Sequence, residues 1–198
     1  MAIAVATCAG PGAELTLRPI TVNSLTEVPL FTGTVPTRAG QNAYNPLRYR
    51  ADVNAFARGW ASAVDRAITT DRREAGADPI GALAAAGQTL HLRSGTKRVI
   101  VAVFNGWQQT RAVNLFRYRE SPSDSTLAVI RSLRRTGELP NLAGTDVVVA
   151  GITSGDPRMQ TNAAQLAGLC RVWKDLVASG GGALKLCSAA LPGIVTSF

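Results

Sequence analysis

Two short turns hold the residues of this chain best placed for chemistry, Asn105-Gly106-Trp107 and Thr153-Ser154-Gly155-Asp156. Each follows a continuous apolar run rich in β-branched residues, 97–104 and 145–152, and ends it with glycine and polar side chains. That is the pattern of a strand buried on both faces of a parallel sheet. Ligands of such sheets sit beyond the carboxyl ends of the strands, so a site is expected at these turns. The chemistry on offer is narrow. Asn105 brings a neutral amide, Trp107 an indole, Thr153 and Ser154 hydroxyls, and Asp156 a carboxylate. A hydroxyl nucleophile needs an adjacent base, and none is paired with Thr153 or Ser154 in the sequence. A hydrolase built on Thr153, Ser154 and Asp156 is therefore a weaker reading than a turn and helix cap. Asn105, Trp107, Thr153, Ser154 and Asp156 are expected to touch a partner rather than to transform a substrate.

The remaining chemistry-bearing residues are scattered. His91 is the sole histidine; at the end of an expected helix and with no upstream nucleophile motif, it reads as a partner of the helix dipole or a surface residue. Cys8, Cys170 and Cys187 are odd in number and lack metal-type spacing, so they read as reduced, buried small hydrophobes. The net charge of +8 is carried almost wholly by arginine, the lysines being Lys97, Lys174 and Lys185. Such a charge permits attraction to nucleic acid, an anionic membrane or an acidic protein and selects none of them. Arg48-Tyr49-Arg50 and Arg117-Tyr118-Arg119 interleave rings with cations, which can stack bases and hold phosphates, and Arg131 with Arg134-Arg135 forms a third cluster. Solvated helix and loop faces account for all three more simply.

The elements that would position these residues follow from pattern. At 198 residues and 46% hydrophobic content the chain is long and apolar enough for one domain with a full core, residues 1–198. No apolar run approaches the roughly 20 residues of a membrane span. The opening residues lack a basic leader, which makes a cytoplasmic location the expectation. Residues 2–7 and 14–22 read as strands joined by a Gly- and Pro-rich connection too short for a crossover helix, hence an antiparallel hairpin. Residues 23–47, with Pro29, Pro36 and Pro46, read as irregular. A helix is expected over 51–70, with Val53, Phe56, Trp60, Ala63, Val64 and Ala67 on a core stripe, so Trp60 is packing material. Asp78-Pro79 is the start signal of a second helix reaching about residue 92. Helices over 123–136 (Leu127, Ile130 and Leu133 inward) and 161–178 (Leu169, Cys170, Trp173 and Leu176 inward) then alternate with strands over 99–104, 147–152 and 183–190. Ser179-Gly180-Gly181-Gly182 ends the last helix. That alternation predicts an α/β three-layer sandwich, mostly parallel, with an N-terminal antiparallel hairpin.

On these residues the chain resembles a von Willebrand factor A-type domain of the divergent bacterial kind. The resemblance rests on Gly76-Ala77-Asp78-Pro79-Ile80-Gly81-Ala82-Leu83, on residues 99–107, on Gly137-Glu138-Leu139-Pro140-Asn141-Leu142-Ala143-Gly144, and on Arg171-Val172-Trp173-Lys174, and it spans about residues 2–190. It implies a Rossmann-like sandwich, a non-enzymatic protein-interaction module, and a divalent cation such as Mg²⁺ that grasps a partner's carboxylate at the carboxyl ends of the strands. The departures are specific. The metal-site motif Asp-x-Ser-x-Ser is absent, Thr7-Cys8-Ala9-Gly10 being the nearest segment, and Ala77 and Asn105 stand at the later threonine and aspartate positions. A hard cation favours carboxylates, so Asp78 and Asn105 would make at most a degenerate metal site and no cofactor is expected. The hairpin also begins where the family has its central strand. A strand-donating partner, a homo-oligomer, a truncated start or a relocated first strand would each answer the unpaired backbone this leaves. Two functions follow: a protein-binding module working by surface complementarity without metal, or a basic binder of nucleic acid or another polyanion.

Overall fold

The computed structural model describes residues 10–38, 45–69, 76–93, 95, 97–110, 113–118, 126–153 and 162–190. The fold is mixed α/β. A three-stranded parallel sheet is ordered β3 (Arg98–Val103), β4 (Thr145–Ala150), β5 (Ala183–Ser188), and a separate two-stranded antiparallel sheet is made by β1 (Glu14–Leu17) and β2 (Phe31–Thr34). Among the described residues four α-helices accompany them: α1 (Pro46–Thr69), α2 (Pro79–His91), α3 (Thr126–Thr136) and α4 (Ala163–Ser179).

The parallel sheet follows directly from composition. β3 reads RVIVAV and β4 reads TDVVVA, and β-branched side chains suit a pleated surface covered on both faces. The two pair without a register shift from Arg98↔Thr145 to Val103↔Ala150. Residues alternate between faces, so Ile100, Ala102, Val147 and Val149 enter one core together with Ile80 and Leu83 of α2, Leu133 of α3, and Leu169, Val172, Trp173, Leu176 and Val177 of α4. Val148 and Ala150 point the other way and are fully buried in a second, smaller cluster with Val101. The start of α2 is capped as the sequence suggests, and α4 is capped by Asn162, which the sequence reading did not single out. Asp78 accepts a hydrogen bond from the Gly81 amide at 3.0 Å with Pro79 in the first turn, and Asn162 accepts from the Gln165 amide at 2.7 Å.

The hairpin differs from expectation. The strand partner of Glu14–Leu17 is Phe31–Thr34, inside the stretch read as irregular, while the strand expected over residues 2–7 lies outside the described residues. Residues 18–22, expected to continue the first strand, instead form the turn leading to a short 3-10 helix, Ser24–Thr26. Arg18 holds that turn by donating to the Glu27 carbonyl at 2.7 Å.

Helix α1 begins at Pro46, five residues before the expected start, and its apolar stripe faces the hairpin rather than the main core. Phe56 and Trp60 each set an edge against Phe31, with ring centroids at 5.4 and 5.5 Å. Both are half-buried, Ala63 is fully buried, and Val53 is exposed. In α3, Ile130 and Leu133 point inward as expected, but Leu127 is 73% exposed.

The cysteines require a correction. Cys170 of α4 and Cys187 of β5 form a disulfide, not a pair of reduced thiols, with Cα atoms 5.7 Å apart; Cys8 lies outside the described residues. Parallel β4–β5 pairing places β5 beneath the helix that leads into it, which brings together two cysteines whose sequence separation is 17. No helix among the described residues is long and apolar enough to cross a membrane.

Candidate functional site at the strand ends

The ladder between β3 and β4 continues past the regular strands. Phe104 donates its amide to the Ala150 carbonyl at 3.0 Å, and Thr153 donates to the Asn105 carbonyl at 3.1 Å. Asn105 and Thr153, the first residues of the two turns singled out by sequence, are therefore tied side by side at the carboxyl ends of adjacent parallel strands, where ligands of such sheets bind. Gly106 makes the first turn feasible. Its φ is +90°, and a Cβ there would come within 2.9 Å of Ile152 Cγ2 and 3.3 Å of Leu169 Cδ1.

Each expected site residue has a definite place. Asn105 is exposed, and its Oδ1 accepts from the Trp107 amide at 3.2 Å, an Asx-type turn that fixes the side chain. Trp107 is only 2% exposed, and its indole N–H donates to the Thr153 carbonyl at 2.9 Å. It is a strut between the turns and not a contact surface, contrary to the expectation that it would touch a partner. A second indole braces the same corner: Trp173 donates to the Gly106 carbonyl at 2.9 Å and meets the Phe104 ring edge-on at 5.0 Å. Thr153 is exposed beside Asn105. Ser154 and Asp156 lie outside the described residues.

Asp78 is engaged elsewhere. One carboxylate oxygen, Oδ1, caps α2 through the Gly81 amide and also accepts from Gln108 Nε2 at 2.7 Å. Asp78 Oδ1 and Asn105 Oδ1 each accept hydrogen bonds from neighbouring groups, and what links Asp78 to the turn after β3 is Gln108, a residue the sequence reading passed over. Gln108 is 2% exposed, accepts from the Ile80 amide at 3.0 Å through Oε1, and donates to Asp78 and to Thr110 Oγ1. It satisfies one of the open amides at the start of α2 and clamps that helix to the turn after β3. The only sequence signal for it is its position, immediately after the turn. Among the described residues no group of three or more His, Cys, Asp or Glu side chains is arranged to hold a metal ion.

Arg48 and Arg50 are exposed on α1, where Tyr49 lies under the Arg38 guanidinium at 5.1 Å, and Arg131, Arg134 and Arg135 are exposed on α3. Arg117 is exposed, and Arg119 lies outside the described residues. His91 Nδ1 donates to the Gly87 carbonyl at 2.7 Å inside its own helix, consistent with a helix-end role. Among the described residues the strand ends thus present two neutral hydrogen-bonding groups, Asn105 and Thr153, on a base braced by two indoles. No family model, no curated protein and no solved structure matches this chain.

Proposed function

We propose that the protein is a non-enzymatic protein-interaction module of Rossmann-like, von Willebrand A-like architecture, which engages its partner through the carboxyl ends of β3 and β4 without a metal ion. The observation that carries the proposal is the pairing of exposed Asn105 with exposed Thr153 over two buried indoles that lock their backbones. Immobilised hydrogen-bonding groups cost little entropy when a partner binds, which is how a small polar surface gains affinity. Asp78, the nearest carboxylate of the expected metal site, is used as a helix cap. Ser154 and Asp156 follow Thr153 closely in sequence. The residues on β3 have a strand neighbour on one side only among the described residues, so a strand-donating partner or a second copy belongs to the same proposal.

The polyanion reading draws on the +8 charge, but the dispersion of its arginines over α1 and α3 favours the first. A cytoplasmic setting belongs to the proposal as well, against the weight of the disulfide, since such bonds persist mainly in oxidising compartments. The test is capture of partners from the source cell with immobilised wild-type protein, Asn105→Arg, Thr153→Arg and an Arg131→Ala control. A protein retained by the wild type and the control, and lost with both strand-end variants at unchanged melting temperature, is the expected result. Retention that ignores both substitutions would overturn the assignment of the surface.

A further inference from the structure

A different chemistry sits at the other side of the sheet. Between α4 and β5 runs an open groove of about 500 Å³, within the size range of small-molecule sites. The Cys170–Cys187 disulfide lines it, together with Arg171, Lys174 and Asp175 of α4 and Lys185 of β5. Both cysteines are half-buried: they pack against the main core and also line the groove. Three cations and one carboxylate face the groove. Lys185 occupies the register irregularity of β5, where Val147 pairs with Leu184 and Val148 with Leu186, and its Nζ lies 3.3 Å from Asp146 Oδ1. Arg171 and Lys174 are exposed one helical turn apart. Cations beside a sulfur lower the cost of a thiolate, and with Lys185 paired to Asp146, Arg171 and Lys174 against Asp175 leave the groove an excess of positive charge that attracts anions.

We propose that this groove is a thiol–disulfide exchange site whose co-reactant is a small anionic thiol, of the class of carboxylate-bearing cysteine peptides. The incoming thiolate attacks one sulfur of the Cys170–Cys187 bond. As the new S–S bond forms, the old one breaks, and its electron pair leaves on the other cysteine as a thiolate held beside the groove's cations. A second small thiolate attacks the mixed disulfide and departs as the oxidised dimer of the small thiol, and the two protein thiolates take protons from water. Two electrons pass from two small thiols to one protein disulfide, and β5 loses its covalent tie to α4. The exchange is stoichiometric and involves no residue of the strand-end surface.

The experiment uses the oxidised full chain with three thiols matched for thiolate concentration: glutathione (anionic), 2-mercaptoethanol (neutral) and cysteamine (cationic). Disulfide loss is followed by alkylation and intact mass. Glutathione is expected to react about tenfold faster than cysteamine, the lower end of the gain electrostatic focusing gives. Arg171→Ala/Lys174→Ala should reduce that preference to about twofold, as should 0.5 M salt, roughly the concentration at which exposed charges are screened within a few ångströms. Arg131→Ala/Arg134→Ala on α3 should leave it intact. An equal or reversed preference in the wild type, a preference that survives loss of Arg171 and Lys174, or a disulfide that resists all three thiols until the chain is denatured would each overturn the proposal.

Discussion

Gln108 shows how one side chain sets the geometry of a site it does not enter. It is buried, and its side chain bonds to the Ile80 amide, Asp78 and Thr110, the first two of which belong to the start of α2. Gln108→Ala leaves the Ile80 amide without an acceptor inside a closed environment, an expected cost of about 1–3 kcal/mol in urea unfolding. Gln108→Leu fills the volume but not the bonds and should cost a similar amount; stability equal to the parent in both variants would show that the clamp carries no weight. Asp78 makes the companion case. Its carboxylate is a helix cap, so Asp78→Ala should cost about 1 kcal/mol, and millimolar Mg²⁺ or Mn²⁺ should leave the melting temperature of the parent unchanged. A cation that bound the native state alone would have to raise it, and a rise that disappears in Asp78→Ala would restore the metal reading. Asp78 as a cap was legible from the dipeptide Asp78-Pro79. Gln108 was not, because a glutamine after a turn is usually solvated and only the approach of α2 buries it.

At the scale of elements, the three tryptophans divide by what covers them. Trp173 is fully buried in the main core, with its indole N–H satisfied by Gly106. Trp173→Ala should cost about 3–5 kcal/mol through a cavity and lost apolar area. Trp60 is half-buried against Phe31, and Trp60→Ala should cost about 1–2 kcal/mol, since less area leaves water. Equal losses in the two variants, measured by the same denaturant titration, would contradict the unequal burial. The sequence made both look alike, because helical periodicity reports that a stripe is apolar and not which element will cover it. Strands β3 and β4 were legible for the opposite reason: a β-branched run between turn residues has few other uses. β5, ALKLCS, was legible from its place after the Gly180-Gly181-Gly182 helix stop instead. β2 was not, since FTGT is four residues long, contains Gly33, and acquires its identity only by pairing with β1 across residues 18–30. The disulfide was invisible on the same ground, as it joins residues that only the parallel crossover brings together. It closes a loop with a separation of 17 residues, for which chain-entropy reasoning gives about 3 kcal/mol. Cys170→Ser/Cys187→Ser should therefore melt about 6–12 °C below the parent, and a shift under 2 °C would mean the tie is energetically idle.

The whole molecule presents two unlike sheet edges and one diffuse field. The β5 edge carries a register irregularity, Lys185 and a disulfide, devices that discourage further strand pairing, whereas β3 is regular and apolar apart from Arg98. The field is a matter of net charge. An excess of +8 attracts any polyanion, but the described arginines are spread over α1, α3, α4, β3 and connecting segments, so few are expected to reach consecutive phosphates of one duplex. Binding of that kind is weak and governed by counterion release: affinity falls with salt in proportion to the phosphates neutralised, and non-specific complexes reach only about 10⁻⁴–10⁻⁶ M at physiological salt. A 20-base-pair DNA duplex should accordingly bind with a Kd weaker than about 10 μM at 150 mM salt, with a log–log salt slope no steeper than about −4. Asn105→Arg, which adds a cation at the strand ends, should tighten it slightly while abolishing partner capture. That opposite response separates the two functions within one variant. A submicromolar duplex affinity at 150 mM salt with a slope near −7 would mean that the dispersed arginines converge on one ligand after all, and the polyanion reading would replace the protein-binding one.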